Sequence, residues 1–308
     1  MSRKIAVLIA FFLAGPIVAA TGSAMGAEGR IVVSVADHLT HRPKTLKPED
    51  IHGIGAGLHV TKVEPLQGER EIFLLIDDGS SFDFGEKVED LRRFVNAQSA
   101  SAAIGVAYIT DGDLKIAQPI TRDHAAAAAA IRAPKGGKLA SSFCALSSLI
   151  LGWKSDAVAR DVVMVTSGID YSAAPGAVCT NAEIAIGDAQ RAGVGVYAIY
   201  HPIAQYASGD WKQIDEGLVE LSHVCYETGG EGYFVSHGPS ELIGPFLNDI
   251  TSHLANQYLL TITDESGGGP GFRRVMIDTG LHGPEVMAPA RVWVEAPQAP
   301  GAKAISGR

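Results

Sequence analysis

The sequence predicts an α/β protein with a doubly wound, mostly parallel sheet flanked by helices and a small β module beside it. Strand-like and helix-like segments alternate from residue 71 to about residue 258, which is typical of a doubly wound sheet. Three strand segments are apolar on both faces, as the central strands of a parallel sheet are; they are residues 71–77, 161–166 and 194–200. Outside this region the chain shows only strand and turn patterns.

The β module is predicted from strand segments near the two ends of the chain. Residues 31–37, "IVVSVAD", are predicted to form a strand, and a second strand follows at residues 57–66. Three more strand segments come after the α/β region: "QYLLTIT", "FRRVMID" and "ARVWVEA". We therefore predict that residues 28–66 and 259–296 fold together beside an α/β domain formed by residues 67–258.

Helices are predicted between the strands of the α/β domain. In residues 86–98, Val88, Leu91 and Val95 recur on one helical face. Residues 122–133 are mostly alanine, the residue with the highest helix propensity. Gly193 is expected to end a later helix. The remaining predicted helices are residues 141–153, residues 181–192, a helix from Trp211 to the "ETGG" segment, and one from Ser240 to Leu254, while strands are predicted at residues 103–109 and, at an edge, 114–119.

The first residues of the chain predict a secretory signal peptide at residues 1–27. Arg3 and Lys4 precede the apolar run "IAVLIAFFLAGPIVAA", and small residues follow it. An uncleaved membrane anchor is the alternative, but Gly15 and Pro16 interrupt the run, and a span needs about 20 apolar residues. We expect a periplasmic or extracellular protein that is not stably inserted in a membrane after cleavage.

The charge of the chain argues against nucleic acid as a partner. Cleavage of the signal peptide removes two basic residues and changes the formal net charge from −9 to −11. The sequence contains no cluster of Lys and Arg, so a phosphate backbone would be repelled. Residues 297–308 are predicted to be a disordered tail because they are rich in Gly, Pro, Ala and polar residues.

The chain has three cysteines, Cys144, Cys179 and Cys225. Export permits one disulfide with one cysteine left over, and three pairings are possible. Cys144 lies in a helical pattern and is expected to be a small buried apolar residue. We favour a disulfide between Cys179 and Cys225, and the spacing of the three matches no zinc motif.

A polar run follows the first buried strand, at Asp77, Asp78, Gly79, Ser80 and Ser81. Carboxylate and hydroxyl groups at the carboxyl end of such a strand are placed where α/β sheets bind ligands. Hard oxygen donors of this kind suit Mg²⁺ or Mn²⁺. Alternatively, Asp77 has a structural role and either caps the following helix or ties the loop together through backbone N–H groups.

Several segments, in the same order, resemble a known family. They are "LKPEDI", "DDGSS", "VVMVTSGID", "GVGVYAIY", "ETGG", "QYLLTIT" and "GFRRVMID". Together they resemble the von Willebrand factor type A domain, and more narrowly the secreted bacterial VWFA-related family, over roughly residues 30–298. The resemblance implies a Rossmann-like α/β fold. It also implies that the polar loops lie at the carboxyl edge of the sheet.

In type A domains those loops hold a divalent cation, at the metal-ion-dependent adhesion site. By the resemblance, Asp77 and Ser81 match two of the metal ligands, whereas Gly79 stands in the place of a serine. Ala140 falls on the threonine of the second loop, unless Ser141 or Ser142 takes its place, and Ser167 falls on the third-loop aspartate, with Asp170 three residues further on. We therefore predict a degenerate site and no cofactor. The alternative is a Mg²⁺ or Mn²⁺ site in which Asp78 or Asp170 acts as a substitute ligand.

The sequence therefore predicts an exported, non-enzymatic module of the adhesion or scaffold type that binds an unidentified protein partner without a metal. The predicted partner-binding residues are Asp77, Asp78, Gly79, Ser80, Ser81, Ser141, Ser167 and Asp170. The alternatives are a Mg²⁺- or Mn²⁺-dependent adhesion domain, and a hydrolase that uses Asp77 or Ser167 in the same crevice. A hydrolase is disfavoured because no Gly-x-Ser-x-Gly elbow is present.

Overall fold

The structure is a computed structural model, and it describes residues 27–36, 45–79, 84–110, 113–135, 141–169, 181–201, 211–234, 243–280 and 285–295. Residues 1–26 of the predicted signal peptide and the predicted tail at residues 297–308 lie outside this part of the chain. Among the described residues, no helix combines the length and the apolar character that crossing a membrane requires.

The strands are β1 (Ala27–Ala36), β2 (Ile51–Gly53), β3 (Leu58–Pro65), β4 (Arg70–Asp77), β5 (Ala102–Thr110), β6 (Asp113–Thr121), β7 (Ala159–Thr166), β8 (Val194–Tyr200), β9 (Gly232–Phe234), β10 (Gln257–Asp264), β11 (Gly271–Arg274), β12 (Asp278–Thr279), β13 (Glu285–Met287) and β14 (Arg291–Val294). The α-helices are α1 (Gly85–Ala97), α2 (His124–Ala129), α3 (Ser142–Gly152), α4 (Ala182–Ala192), α5 (Trp211–Thr228) and α6 (Gly244–Ala255).

A six-stranded core sheet has the order β6-β5-β4-β7-β8-β9. Its strands are parallel except β6, which pairs antiparallel with β5 at one edge. Helices α3, α4 and α5 cover one face, and helices α1, α2 and α6 cover the other. The predicted doubly wound, mostly parallel sheet is therefore confirmed.

The core sheet is apolar on both faces because both faces are covered by helices. In β4, Phe73 and Leu75 pack under the α3–α4–α5 layer, while Ile72, Leu74 and Ile76 pack under the other layer. All five side chains are buried. Successive side chains of a strand point to opposite faces, so only a continuous apolar run can fill both layers. The same reasoning explains the apolar runs of β7 and β8.

The strands from the two ends of the chain form a second, antiparallel sheet, as predicted. Strand β1 pairs with β10, β13 and β14, β10 also pairs with β3, and β11 pairs with β14. Its apolar core includes Ile31, Val33, Leu260 and Val292. Helix α6 leads directly into β10, and the carbonyl of Asn256 between them accepts a hydrogen bond from Val35 of β1 (3.1 Å).

Two predicted elements differ from the structure. The strand predicted at "FRRVMID" is interrupted between β11 and β12, because Val275 N–H donates to Ala290 and Met276 N–H donates to Ile54, a different part of the module. The alanine-rich helix ends at Ala129 rather than at residue 133, because Arg132 N–H is bonded to the Tyr108 hydroxyl (2.8 Å). Both changes come from tertiary hydrogen bonds, which local patterns do not contain.

A buried polar contact joins the two sheets. Gln257, the first residue of β10, donates from Nε2 to Asp161 Oδ1 in β7 (2.9 Å). Asp161 is 1% exposed, and burial raises the pKa of Asp161 to about 6, although the charge of Arg70 and the Gln257 hydrogen bond oppose this. Gly195 leaves the space for the carboxylate, because a Cβ there would lie 2.8 Å from Asp161 Oδ1.

The Asp161→Asn variant should reduce the pH dependence of stability. The folded-state pKa of Asp161 is above the unfolded value of 3.8, so the folded protein holds the proton up to a higher pH. Stability therefore falls as the pH rises from about 4 through about 6, by about 3 kcal/mol for this residue. Asparagine cannot ionise, so this part of the fall should be absent when urea unfolding is measured from pH 4 to pH 7.

The exposed Asp156→Asn variant is the control for this experiment, because Asp156 lies in solvent. It should show the same fall in the free energy of unfolding as the wild type. If Asp161→Asn also shows an unchanged fall, the buried junction does not control this pH dependence.

Candidate functional site

The polar residues predicted from the sequence lie where parallel strands end at one edge of the core sheet. Asp77 is the last residue of β4, Thr166 is the last residue of the neighbouring β7, and Ser142 begins α3. The structure brings these three side chains together. Ser80, Ser81, Ala140 and Asp170 lie outside the described residues, so their predicted roles stay predictions.

Asp77 is held by a chain of buried hydrogen bonds. Its Oδ1 accepts the N–H of Gly79 (2.8 Å), and its Oδ2 accepts the hydroxyl of Thr166 (3.2 Å). Thr166 Oγ1 lies 2.7 Å from Ser142 Oγ. The Thr166 hydroxyl therefore donates to Asp77, and the Ser142 hydroxyl donates to Thr166.

Burial sets the charge state of Asp77. Its side chain is only 4% exposed. Burial raises the pKa of Asp77 to about 6, the hydrogen bonds from Gly79 and Thr166 oppose this rise, and the nearby charge of Asp78 adds to it. The carboxylate thus costs more to ionise than an exposed one, and its two donors partly offset that cost.

Asp78 is bonded to a different set of groups. Arg132 contacts its carboxylate twice, at 2.5 and 2.8 Å. The Thr110 hydroxyl (2.9 Å) and the Lys135 N–H (3.1 Å) also donate to it. Burial alone would raise the pKa of Asp78, but these hydrogen bonds and the charge of Arg132 outweigh burial and lower it. The Arg132 guanidinium also lies 3.9 Å from the Tyr108 ring centroid.

The remaining described hydroxyls at this edge serve the local backbone. Ser141 Oγ accepts the N–H of Cys144 (3.1 Å) and caps the start of α3. Ser167 Oγ accepts the N–H of Ile169 (3.3 Å). Both side chains are buried. The bonds that Ser141 and Ser167 make are thus those of capping and turn residues.

Gly168 fixes the path of the chain after β7. Its φ is +67°, a left-handed conformation that favours glycine. A Cβ at this position would lie 2.4 Å from Leu221 Cγ and 2.5 Å from the carbonyl oxygen of Gly217, both in α5. The loop is therefore packed directly on α5, which holds the Ser167 backbone in place.

In the described part of the chain, the carboxylates at this edge are already bonded to protein groups. Both oxygens of Asp77 accept hydrogen bonds from the protein, and Asp78 is ion-paired with Arg132. Within the described part of the chain, the other oxygens beside Asp77 are the neutral hydroxyls of Ser142 and Thr166. Mg²⁺ demands near-octahedral oxygen ligands and dehydrates reluctantly, and this set offers one buried carboxylate that is already engaged.

The sequence reasoning missed Thr166. Its signal was a hydroxyl residue at the last position of a buried strand, beside the Ser167 that was aligned with a metal ligand. Ser142 Oγ contacts Thr166 Oγ1, whereas Ser141 caps α3; which serine takes the second-loop position stays a prediction. His201 is also at this edge: its N–H donates to the Thr166 carbonyl (2.8 Å), and its ring meets Phe84 edge-on.

The predicted disulfide involves one residue that the structure describes. Cys225 is buried in α5 and forms no disulfide with another described cysteine, and burial raises the pKa of its thiol. Cys179 lies outside the described residues, so its pairing with Cys225 stays a prediction. Cys144 is buried in α3, as expected.

Comparison with known proteins gives similar solved structures only. No family model matches the chain, and no curated protein matches its sequence. A von Willebrand factor type A structure from Catenulispora acidiphila is 12% identical, with 89% of this chain and 74% of that chain covered and a TM-score of 0.44.

Two other similar structures come from bacterial proteins. The vWF domain of the type V pili tip protein Mfa5 from Porphyromonas gingivalis is 12% identical. The match covers 61% of this chain and 96% of that chain, with a TM-score of 0.45. An aerotolerance-related membrane protein from Bacteroides fragilis is 15% identical. The match covers 60% of this chain and 98% of that chain, with a TM-score of 0.44. At this level of similarity nothing about binding or assembly transfers to the present chain.

The structure places the "DDGSS" and "TSGID" segments, by their described residues, after neighbouring parallel strands at the carboxyl edge of a doubly wound sheet. This is the arrangement that the sequence resemblance implied. The architecture is the Rossmann-like α/β fold that the resemblance to the von Willebrand factor type A domain implies. At this edge Asp77, Thr166 and Ser142 form one hydrogen-bonded group.

The Thr166→Val variant should destabilise the protein by about 1–3 kcal/mol, because the buried Asp77 carboxylate loses a donor while the volume stays nearly constant. Thr61→Val is the matched control, since the Thr61 hydroxyl makes an exposed bond to the Thr261 carbonyl, and it should cost less than about 0.5 kcal/mol. Urea unfolding at pH 7 measures both. Equal, small effects would contradict a stabilising role for the Thr166–Asp77 contact.

Proposed function

We propose that this chain is an exported, non-enzymatic protein-interaction module of the adhesion or scaffold type. It binds a protein partner at the carboxyl edge of its core sheet, and the binding needs no bridging cation. The observation that carries the proposal is the unequal length of the connections at the two edges of the core sheet.

The connections at the carboxyl edge are long. Four of them lead from a strand to a helix and one leads from α2 to α3, and each spans seven to fifteen residues. They are residues 78–84, 130–141, 167–181, 201–210 and 235–243. The helix-to-strand connections at the amino edge span one to six residues, namely residues 98–101, 153–158, 193 and 229–231. Binding residues of α/β proteins gather on such connections beyond the carboxyl ends of the strands.

The charges of these connections favour a protein partner over nucleic acid. The four connections that follow strands contain no Lys or Arg, and their acidic residues are Asp78, Asp83, Asp170, Asp210 and Glu241. The connection between α2 and α3 contributes Arg132, Lys135 and Lys138, of which Arg132 is paired with Asp78. A phosphate backbone would meet too few basic groups to bind, whereas mixed charges beside apolar residues suit a protein surface.

Metal independence is supported by the bonds of Asp77 and Asp78. A bridging cation in an adhesion site needs protein carboxylates that are available to it, and the described carboxylates at this edge are engaged by Thr166, Gly79 and Arg132. We therefore propose that contact with the partner relies on shape and hydrogen bonds from the long connections.

A non-enzymatic role is supported by the burial of the candidate nucleophiles. The hydroxyl side chains of Ser142 and Thr166 are fully buried, and Ser167 and His201 are each 1% exposed. A nucleophile must be reachable by its substrate and must lie beside a general base. The hydroxyl groups instead bond to each other, to Asp77 and to the backbone.

Two glycines provide a matched test of the binding edge. Gly85, at the start of α1, lies at the carboxyl edge, and Gly152, at the end of α3, lies at the opposite edge. Both are exposed, and a Cβ at either position meets nothing within 4 Å. A glutamine at each position adds the same bulk without disturbing the core.

The exported chain, with residues 28–308, should capture a specific protein from a cell-envelope extract of the source organism, measured by quantitative mass spectrometry. Gly85→Gln should reduce capture several-fold, Gly152→Gln should leave it unchanged, and a chelator should have no effect. If both variants captured the partner equally well, this would contradict the proposal that the partner binds at the carboxyl edge. Capture that is abolished by the chelator and restored by Mg²⁺ would contradict metal independence.

A further inference from the structure

A group of side chains of the kinds that bind metal ions lies away from the carboxyl edge of the core sheet. Glu231 is in the short connection before β9, at the amino edge of the sheet, while Asp249 and His253 are on α6. Residues four apart on a helix lie on the same face, so α6 presents the carboxylate and the imidazole together. Their ligand atoms and that of Glu231 all lie within 4.8 Å of one another.

The distances in this group are close to those of a metal site. His253 Nε2 lies 3.0 Å from Glu231 Oε2 and 3.6 Å from Asp249 Oδ2. In a tetrahedral zinc site with bonds of about 2.0–2.1 Å, neighbouring ligand atoms are roughly 3.3 Å apart. A small cation could therefore contact all three residues after shifts of a few tenths of an ångström.

The two carboxylates share a single phenol proton. Tyr233 Oη lies 3.1 Å from Glu231 Oε2 and 2.9 Å from Asp249 Oδ2. A tyrosine hydroxyl has one proton to donate, so it can satisfy only one of these oxygens at a time.

The two carboxylates of this group are partly exposed, so an ion from solvent can reach them. His253 is 1% exposed, whereas the side chains of Glu231 and Asp249 are 34% and 25% exposed. The imidazole therefore lies on the buried side of the group, beside the Tyr197 ring (6.0 Å between ring centroids). The carboxylates lie on the side that faces solvent. Two carboxylates and a neutral imidazole would carry a charge that a divalent cation balances.

We propose that Glu231, Asp249 and His253 bind a divalent transition-metal ion, with Zn²⁺ as the best match. Imidazole and carboxylate ligands together suit Zn²⁺, and three protein ligands leave a fourth position for water. Mg²⁺ and Ca²⁺ prefer all-oxygen sites. The ion would connect the start of β9 to α6, which leads directly into β10 of the second sheet. This site is independent of the proposed partner-binding edge.

The same contacts also suit a protonated imidazole paired with two carboxylates and no metal. The two arrangements differ in their response to zinc. The exported chain, freed of metal with a chelator, should bind one ZnCl₂ equivalent per chain with a micromolar or tighter dissociation constant in calorimetry. Zinc should also raise the melting temperature, because it binds the folded state.

Variants of the three ligands identify the site. Asp249→Asn and His253→Gln should each weaken zinc binding by roughly 100-fold or more. His223→Gln is the matched control, because His223 contacts a single carboxylate, Glu183, in an exposed pair (2.9 Å), and it should bind zinc like the wild type. Should the buried His253→Gln variant not fold, Asp249→Asn and Glu231→Gln, on the solvent side, test the same claim.

The proposal is wrong if the wild type binds zinc no more tightly than millimolar. It is also wrong if one tight zinc equivalent remains in Asp249→Asn and Glu231→Gln, since the ion then binds elsewhere. Loss of tight binding in these variants, with retention in His223→Gln, supports it.

Discussion

The hydrogen bond from Thr166 to Asp77 joins the ends of the two central strands, β4 and β7. Both strands are buried on both faces, so their carboxyl ends must emerge together at one edge, and a carboxylate there must find donors or stay costly to bury. Thr166, Ser142 and Gly79 supply those contacts. The first loop, the start of α3 and the loop after β7 are thereby tied to one buried group.

The two edges of the core sheet consequently differ in structure. At the amino edge, Asn256 alone separates α6 from β10 of the second sheet, and the buried Asp161–Gln257 contact connects the two sheets there. At the carboxyl edge the connections are long, and they follow strand ends that the hydrogen bonds of Asp77, Thr166 and Ser142 hold in place. A rigid set of strand ends with long connections is the usual basis of a binding surface.

The core and the terminal β module could be predicted because their signals are local. Apolar runs such as residues 161–166 indicate strands covered on both faces, and Gly193 ends α4 in a left-handed conformation, as predicted. The role of Thr166 and the pairing of Asp78 with Arg132 could not be predicted, because 54 residues separate that pair and no local pattern reports it. The Glu231 group was missed for the same reason, since its members come together only when β9 packs on α6.

The proposal that the carboxyl edge of the core sheet binds its partner without a cation is tested most directly by titrating the exported chain with Mg²⁺ and with Mn²⁺ in a calorimeter, alongside its Asp77→Ala variant. The account predicts no binding tighter than about 1 mM that depends on Asp77, because both oxygens of that carboxylate are engaged by the protein. A submillimolar affinity that is lost in Asp77→Ala would contradict it.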